Sequence, residues 1–249
     1  MPLPELLGFV LIATLGSFVQ ALSGFALGLI VLGSVTMLQL APIPFTAAVI
    51  SMISLVNGAW VLARHPRAIE WRSVGWASLG LLPAIGLGLA LLARLDSEWP
   101  QFLRQLLGVV ILVAGALLML RPHPRPQPSG RLSTLASGMA GGLLGGLFST
   151  AGPPVVFHLY RQPWSLISIR STLLAIFAIS TLVRIVWQSA RGELVWPMVE
   201  MALYCTVPVL LAAYGGARLA PRIGLQRMRR LAFTLLALTG FSLLLPAGA

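Results

Sequence analysis

Apolar residues fall along this chain in ten blocks separated by short polar clusters: 5–22, 25–40, 44–63, 72–94, 101–120, 132–150, 153–162, 165–190, 194–217 and 226–246. A helix rises about 1.5 Å per residue, so about 20 apolar residues cross a hydrocarbon core of about 30 Å. The third, fourth, fifth, eighth, ninth and tenth blocks meet that length. The first two form a pair joined at Ser23-Gly24, and the sixth and seventh a pair joined at Gly152-Pro153. The seventh is too short to cross. This pattern predicts an all-α, polytopic transmembrane protein with no strand and no separate soluble domain.

The two halves repeat. Gly16 matches Gly141, Pro83 matches Pro208, Arg94-Leu95 matches Arg218-Leu219, Arg104 matches Arg229 and Gly115 matches Gly240, at offsets of 124 or 125. Glycine matches are cheap in such a composition, so the weight rests on proline and arginine keeping register together. The chain divides into a first transmembrane repeat (1–120), a Pro-rich linker (121–131) and a second transmembrane repeat (132–249). In the linker, prolines alternate from Pro122 to Pro128, which favours an extended polyproline-like tether.

Charge then orders the topology. The net charge is +11, there is no lysine, and most of the 17 arginines lie at block ends, where they mark sidedness and meet lipid headgroups rather than nucleic acid. If each broken pair were one crossing, the arginines would divide nine to eight. If each pair returns to its starting side or crosses twice, residues 64, 67, 72, 121, 125, 131, 161, 170, 218, 222, 227, 229 and 230 share one side, and only 94, 104, 184 and 191 remain for the other. The positive-inside rule selects the second scheme: a cytoplasmic linker, both termini periplasmic or extracellular, and an odd number of passes per half, which inverts one repeat relative to the other. Inverted repeats with helices broken at corresponding positions are an arrangement of secondary transporters, whose substrate sits where the breaks meet. The N-terminus lacks the basic start and cleavage site of a signal peptide, so the first block is expected to remain in the membrane. The lone Cys205 lies within an apolar block and is expected to pack there.

The candidate chemistry concentrates at the breaks. In Ser149-Thr150-Ala151-Gly152-Pro153-Pro154 the prolines suit the first turn of a new helix, whose N-terminus, with two hydroxyls before it, suits a small oxyanion. Gly141, Gly142, Gly145 and Gly146 read instead as close-packing positions. The first break, Gln20 to Gly28, has no proline and also fits a kinked continuous helix; Gln20, Ser23, Gly24 and Phe25 are its candidate substrate contacts. Ser149, Thr150, Gly152 and Pro153 are those of the second break. Arg170 is either a headgroup-facing boundary arginine or the fixed cation of an anion path. Arg184 lies deeper and must snorkel, pair with Glu200 or face a cavity. His158 and Glu200 are the groups through which proton coupling would pass. There is no metal-ligand spacing, nucleotide loop, catalytic set or cofactor fingerprint. The expected partners are a small anion and the lipid bilayer, and homo-oligomer formation is compatible with the sequence.

At Ser23-Gly24-Phe25-Ala26-Leu27-Gly28, at Gly145-Gly146 through Gly152-Pro153-Pro154, and at Arg170-Ser171-Thr172 the chain resembles the TauE/SafE family of sulfite and organosulfonate exporters, a likeness that extends to the size and duplicated hydropathy of nearly the whole sequence. The family's commoner form has denser glycines where this chain has Phe25 and Ala26. The resemblance implies export of sulfite, sulfoacetate or related sulfonates across a bacterial inner membrane, by alternating access and without enzymatic activity. An importer or channel for another small solute, or a membrane assembly partner that transports nothing, is the alternative.

Overall fold

The computed structural model describes residues 2–23, 26–62, 66–119, 125–219 and 225–245. Among the described residues ten α-helices follow the ten apolar blocks: α1 (Leu3–Ser23), α2 (Leu27–Met37), α3 (Ile43–Leu62), α4 (Trp71–Glu98), α5 (Pro100–Met119), α6 (Arg131–Phe148), α7 (Gly152–Tyr160), α8 (Leu166–Ala190), α9 (Trp196–Leu219) and α10 (Leu225–Leu244). A single turn of 3-10 helix, Pro66–Ala68, precedes α4, and there is no strand among the described residues. By length and apolarity α1, α4, α5, α8 and α9 each suffice to cross a membrane.

Both broken pairs are antiparallel hairpins. Gly8 faces Leu40 across the first pair and Gly16 faces Leu27 and Val31, so α2 runs back along α1 and the kinked-helix alternative falls away. In the second pair Gly145 faces Ala151, Gly141 faces Val155, and Thr134 bonds to His158. The arginine arithmetic that needed each pair to return is matched by this geometry. The linker backbone at Arg125 donates to the Arg161 carbonyl (2.8 Å), and Glu70 N–H donates to Thr172 (3.0 Å), which gathers the linker, the α3–α4 connection and the start of α8 on one face of the bundle. The opposite face carries the α2–α3, α4–α5 and α8–α9 connections. Exposed tryptophans mark both levels, Trp71 at the linker face and Trp99 and Trp196 at the other, as interfacial indoles do.

The principal helix pairs correspond when the halves are exchanged. α1 packs on α9 as α6 packs on α4, α3 on α9 as α8 on α4, and α2 on α10 as α7 on α5, while α3–α8 and α5–α10 pair across the exchange. The α4–α6 seam shows what holds such pairs in a solvent as apolar as their own side chains. Gly80 and Gly88 on α4 and Gly138, Gly142 and Gly146 on α6 let the two backbones touch, each helix's glycines lying against the other's main chain. The α1–α9 seam uses Gly216 against Phe18 and Ala21, and a hydrogen bond from Ser17 to the Val209 carbonyl (2.9 Å). Pro83 and Pro208 sit inside α4 and α9, the partners of the two hairpins.

A β-carbon on Gly142 would overlap the Leu81 backbone, whereas one on the exposed Gly75 would meet nothing within 4 Å. Gly142→Ala is therefore expected to cost about 1–3 kcal/mol as overpacking, and Gly75→Ala to be neutral or slightly stabilising. Thermal unfolding followed by fluorescence size-exclusion checks both; equal melting temperatures would contradict the seam.

Candidate functional site

The two hairpins enter the bundle from opposite faces and their tips abut. α3 runs antiparallel to α8, with Gly58 facing Ala178, so the first hairpin, which begins at the face where α3 starts, points toward the second. Gly28, at the start of α2, lies so close to the second tip that a β-carbon there would sit 3.3 Å from both the Ser149 carbonyl and the Thr150 Cβ. Here glycine is required by close approach.

Each tip is held differently. α6 ends as Ser149 takes a left-handed conformation (φ 54°, ψ 25°), its N–H donating to the Gly145 carbonyl at 3.0 Å. The Ser149 hydroxyl lies 2.6 Å from Ser51 Oγ on α3, and Ser51 in turn reaches the Ala47 carbonyl at 2.9 Å. Ser51 has one hydrogen, so the pattern that satisfies both contacts has Ser149 donating to Ser51 and Ser51 to Ala47. From the other side the guanidinium of Arg184, 1% exposed, donates through NH1 to the carbonyls of Gly145 (2.8 Å) and Gly146. The end of α6 carries partial negative charge and, at Gly146, a carbonyl without a donor from its own turn, and this arginine answers both.

Between the tips, α3 and α8 lies a cavity enclosing about 490 Å³ including its open side. Gln20, Ser54, Ser149, Thr150, Ser180 and Thr181 give it polar groups, Gly28, Gly58 and Gly152 give it exposed backbone, and Leu27, Leu174 and Phe177 give it apolar wall. Among the described residues no charged side chain lines it. Two helices begin at its edge, α2 after Ala26 and α7 after Ala151, and neither has a side-chain cap. Their N-terminal partial positive charges fall on the same space. At α7, Pro153 and Pro154 remove two of the donors that an N-terminus ordinarily offers, so its contribution rests on the dipole and on the remaining N–H groups. At α2 no proline intervenes. Such a set of hydroxyls, an amide and helix N-termini without fixed charge offers hydrogen-bond donors of the kind a small anion accepts from.

Of the residues singled out by sequence, Gln20, Ser149, Thr150 and Gly152 come together on this wall, and Pro153 is buried next to it. Gly24 and Phe25, and the side chain of Ser23, lie outside the described residues. Arg170 sits ten residues before Ser180 on α8, about 15 Å nearer the linker face; its Nε is buried without a hydrogen-bond partner. His158 is at the foot of the second hairpin, bonded to Thr134 (3.1 Å) and Ser133 (3.4 Å), with Gln162 donating to its carbonyl (3.0 Å). Gln162 also ties down the linker by accepting from Ser129 N–H (2.8 Å). Glu200 accepts from the exposed Tyr204 (2.9 Å) one turn along α9 and is not paired with Arg184. No group of three or more His, Cys, Asp or Glu gathers among the described residues. Ser51, Ser54, Gly58, Ser180 and Thr181 escaped sequence reading. Their signal is the small and hydroxylated face that positions 51, 54 and 58 make on an otherwise bulky helix.

The family described as Sulfite exporter TauE/SafE matches residues 9–243. The chain is 38% identical over 242 residues, covering 97% of it and 94% of the relative, to a "Probable sulfite/organosulfonate exporter TauE" of Cupriavidus necator. It is 29% identical over 178 residues, covering 71% of it and 73% of the relative, to a "Probable inner membrane transporter protein TsaS" of Comamonas testosteroni. No solved structure matches.

The Ser51–Ser149 contact ties α3 to the tip, so a double-mutant cycle of Ser51→Ala and Ser149→Ala should return a coupling of about 1 kcal/mol. Reversible unfolding in mixed micelles measures it; additive effects would show that the hydroxyls do not hold each other.

Proposed function

The chain belongs to the TauE/SafE sulfite exporter family, and on that premise we propose that it exports small sulfur-containing oxyanions, sulfite or an organosulfonate, with the anion bound between the two hairpin tips. That it is a multi-pass membrane transporter and not an enzyme follows from the family and the named relatives. The observation that carries the finer reading is the uncharged, donor-lined cavity at which two helix N-termini converge. A sulfonate or sulfite group presents three oxygens in a compact head, which hydroxyls of Thr150 and Ser180 and backbone N–H groups of α2 suit as donors.

Alternating access would then be a rocking of the two repeats about this site. The matched helix pairing of the two halves supports an inverted duplication, with each half contributing one hairpin and three further helices. The arginine-rich linker face supports a cytoplasmic linker with both termini on the periplasmic side of a bacterial inner membrane. On α8, Arg170 stands one turn before the cavity-lining Leu174, placed to draw an anion from the linker face. Proton coupling through His158 is supported by its position where linker and hairpin meet; Glu200, bonded on the outer side of α9, has less to recommend it.

Two outcomes follow for purified protein in liposomes loaded with ³⁵S-sulfite. The wild type should show saturable efflux, and Thr150→Val should raise KM by about tenfold or more, the worth of one hydrogen bond to a charged ligand. Absence of saturable flux for any small anion would contradict the transport assignment, and an unchanged KM would move the anion away from the tip. Separately, His158→Gln should abolish the stimulation of flux by an imposed pH gradient while exchange at equal pH persists; retained stimulation would remove His158 from coupling.

A further inference from the structure

α8 carries more than the cavity wall. Positions 170, 174, 177, 181, 184 and 188 recur every three or four residues and so share one stripe of this helix. Leu174, Phe177 and Thr181 line the cavity; Arg170 precedes them by one turn and Arg184 and Gln188 follow by one and two turns. The stripe thus continues from the cavity toward the face opposite the linker as Arg184 and then Gln188.

Both residues are buried, at 1% and 4% exposure, and both keep unused hydrogen-bonding capacity. Arg184 spends NH1 on the Gly145 and Gly146 carbonyls, yet its Nε and NH2 have no partner, and Gln188 Oε1 has none four residues on. A guanidinium whose only task was to finish α6 would be expected to turn its remaining donors to carbonyls or to Gln188. Buried polar groups that stay unpartnered are uncommon and costly. An ionised side chain inside a membrane bundle typically lines an ion pathway. The open Nε–NH2 edge is the pair of parallel donors that grips two oxygens of an oxyanion.

We propose that Arg184 and Gln188 form a second, transient oxyanion subsite on the path from the cavity to the face opposite the linker. The inference rests on the transport reading above and extends it. An anion released from the neutral cavity passes to the free edge of Arg184, with the side-chain NH2 of Gln188, not its acceptor Oε1, as a further donor, before it leaves. Because NH1 stays on α6, occupancy of the subsite is felt at the hairpin tip that Ser149 and Thr150 carry.

The test uses the full chain in liposomes and the variant Gln188→Glu. A carboxylate there supplies the missing partner to Nε and NH2, so a merely structural Arg184 would keep its transport parameters and gain or hold thermal stability. A subsite would instead be occupied by the protein's own carboxylate, and KM for ³⁵S-sulfite efflux should rise at least tenfold with the melting temperature unchanged or higher. An unchanged KM in a folded Gln188→Glu protein overturns the subsite while leaving the exporter reading intact. Absence of wild-type flux removes that reading and the subsite with it. Should Gln188→Glu not assemble, Gln188→Leu, which removes the amide without adding charge, decides the matter. KM is expected to rise about threefold, and an unaltered KM overturns the proposal.

Discussion

A helix that stops inside a bilayer leaves its last carbonyls without donors in a medium that offers no water, and the rest of this architecture depends on how that is met. α6 ends at Phe148, and the buried Arg184 of α8 donates to Gly145 and Gly146 in the turn before. The tip can then turn through left-handed Ser149, rest on Ser51 of α3, and start α7 three residues later. Removing the arginine would leave the buried Gly146 carbonyl unpaired at about 1–3 kcal/mol, while Gly145 would keep the Ser149 N–H. It would also remove a positive charge that lies one turn along α8 from the cavity-lining Thr181. One side chain therefore joins the geometry of the break to the electrostatics of the site.

Close packing makes the break usable. The α4–α6 seam, with glycines on both helices, is a backbone-to-backbone contact that fixes the long limb of the hairpin, while α7 is only nine residues long and is held at its foot by Thr134, Gln162 and the linker. Rigid long limbs and short return limbs give a site whose walls belong to different bodies. On the proposed alternating-access reading, motion of one repeat against the other would change access without unmaking a helix.

Much of this was legible in the sequence. Hydropathy alone located all ten helices, and Pro153-Pro154 marked the start of α7 because proline suits a first turn and no later one. The arginine distribution pointed to pairs that return, as the hairpins do. At the first break, with no proline, sequence could not separate a kink from a reversal; the contacts of Gly8 with Leu40 and Gly16 with Val31 separate them. Ser51, Ser180 and Thr181 were missed because hydroxyls inside spanning helices usually bond back to their own turn, as Thr181 does to Phe177 (2.9 Å), and only tertiary packing tells which face a cavity. Arg184 was visible as a deep charge, but its partners are backbone carbonyls of glycines 38 and 39 residues away, which leave no mark of complementary charge in the chain.

The central claim is that a small oxyanion binds where the two hairpin tips meet. Crystals of the full-length protein soaked with selenite, a sulfite analogue with an anomalous scatterer at its centre, locate it directly. An anion held at the tips would give an anomalous peak between Gly28 and Gly152, within hydrogen-bonding distance of Thr150. No peak there at concentrations that compete with sulfite efflux, or a peak only at the foot of the hairpin beside His158, would contradict it.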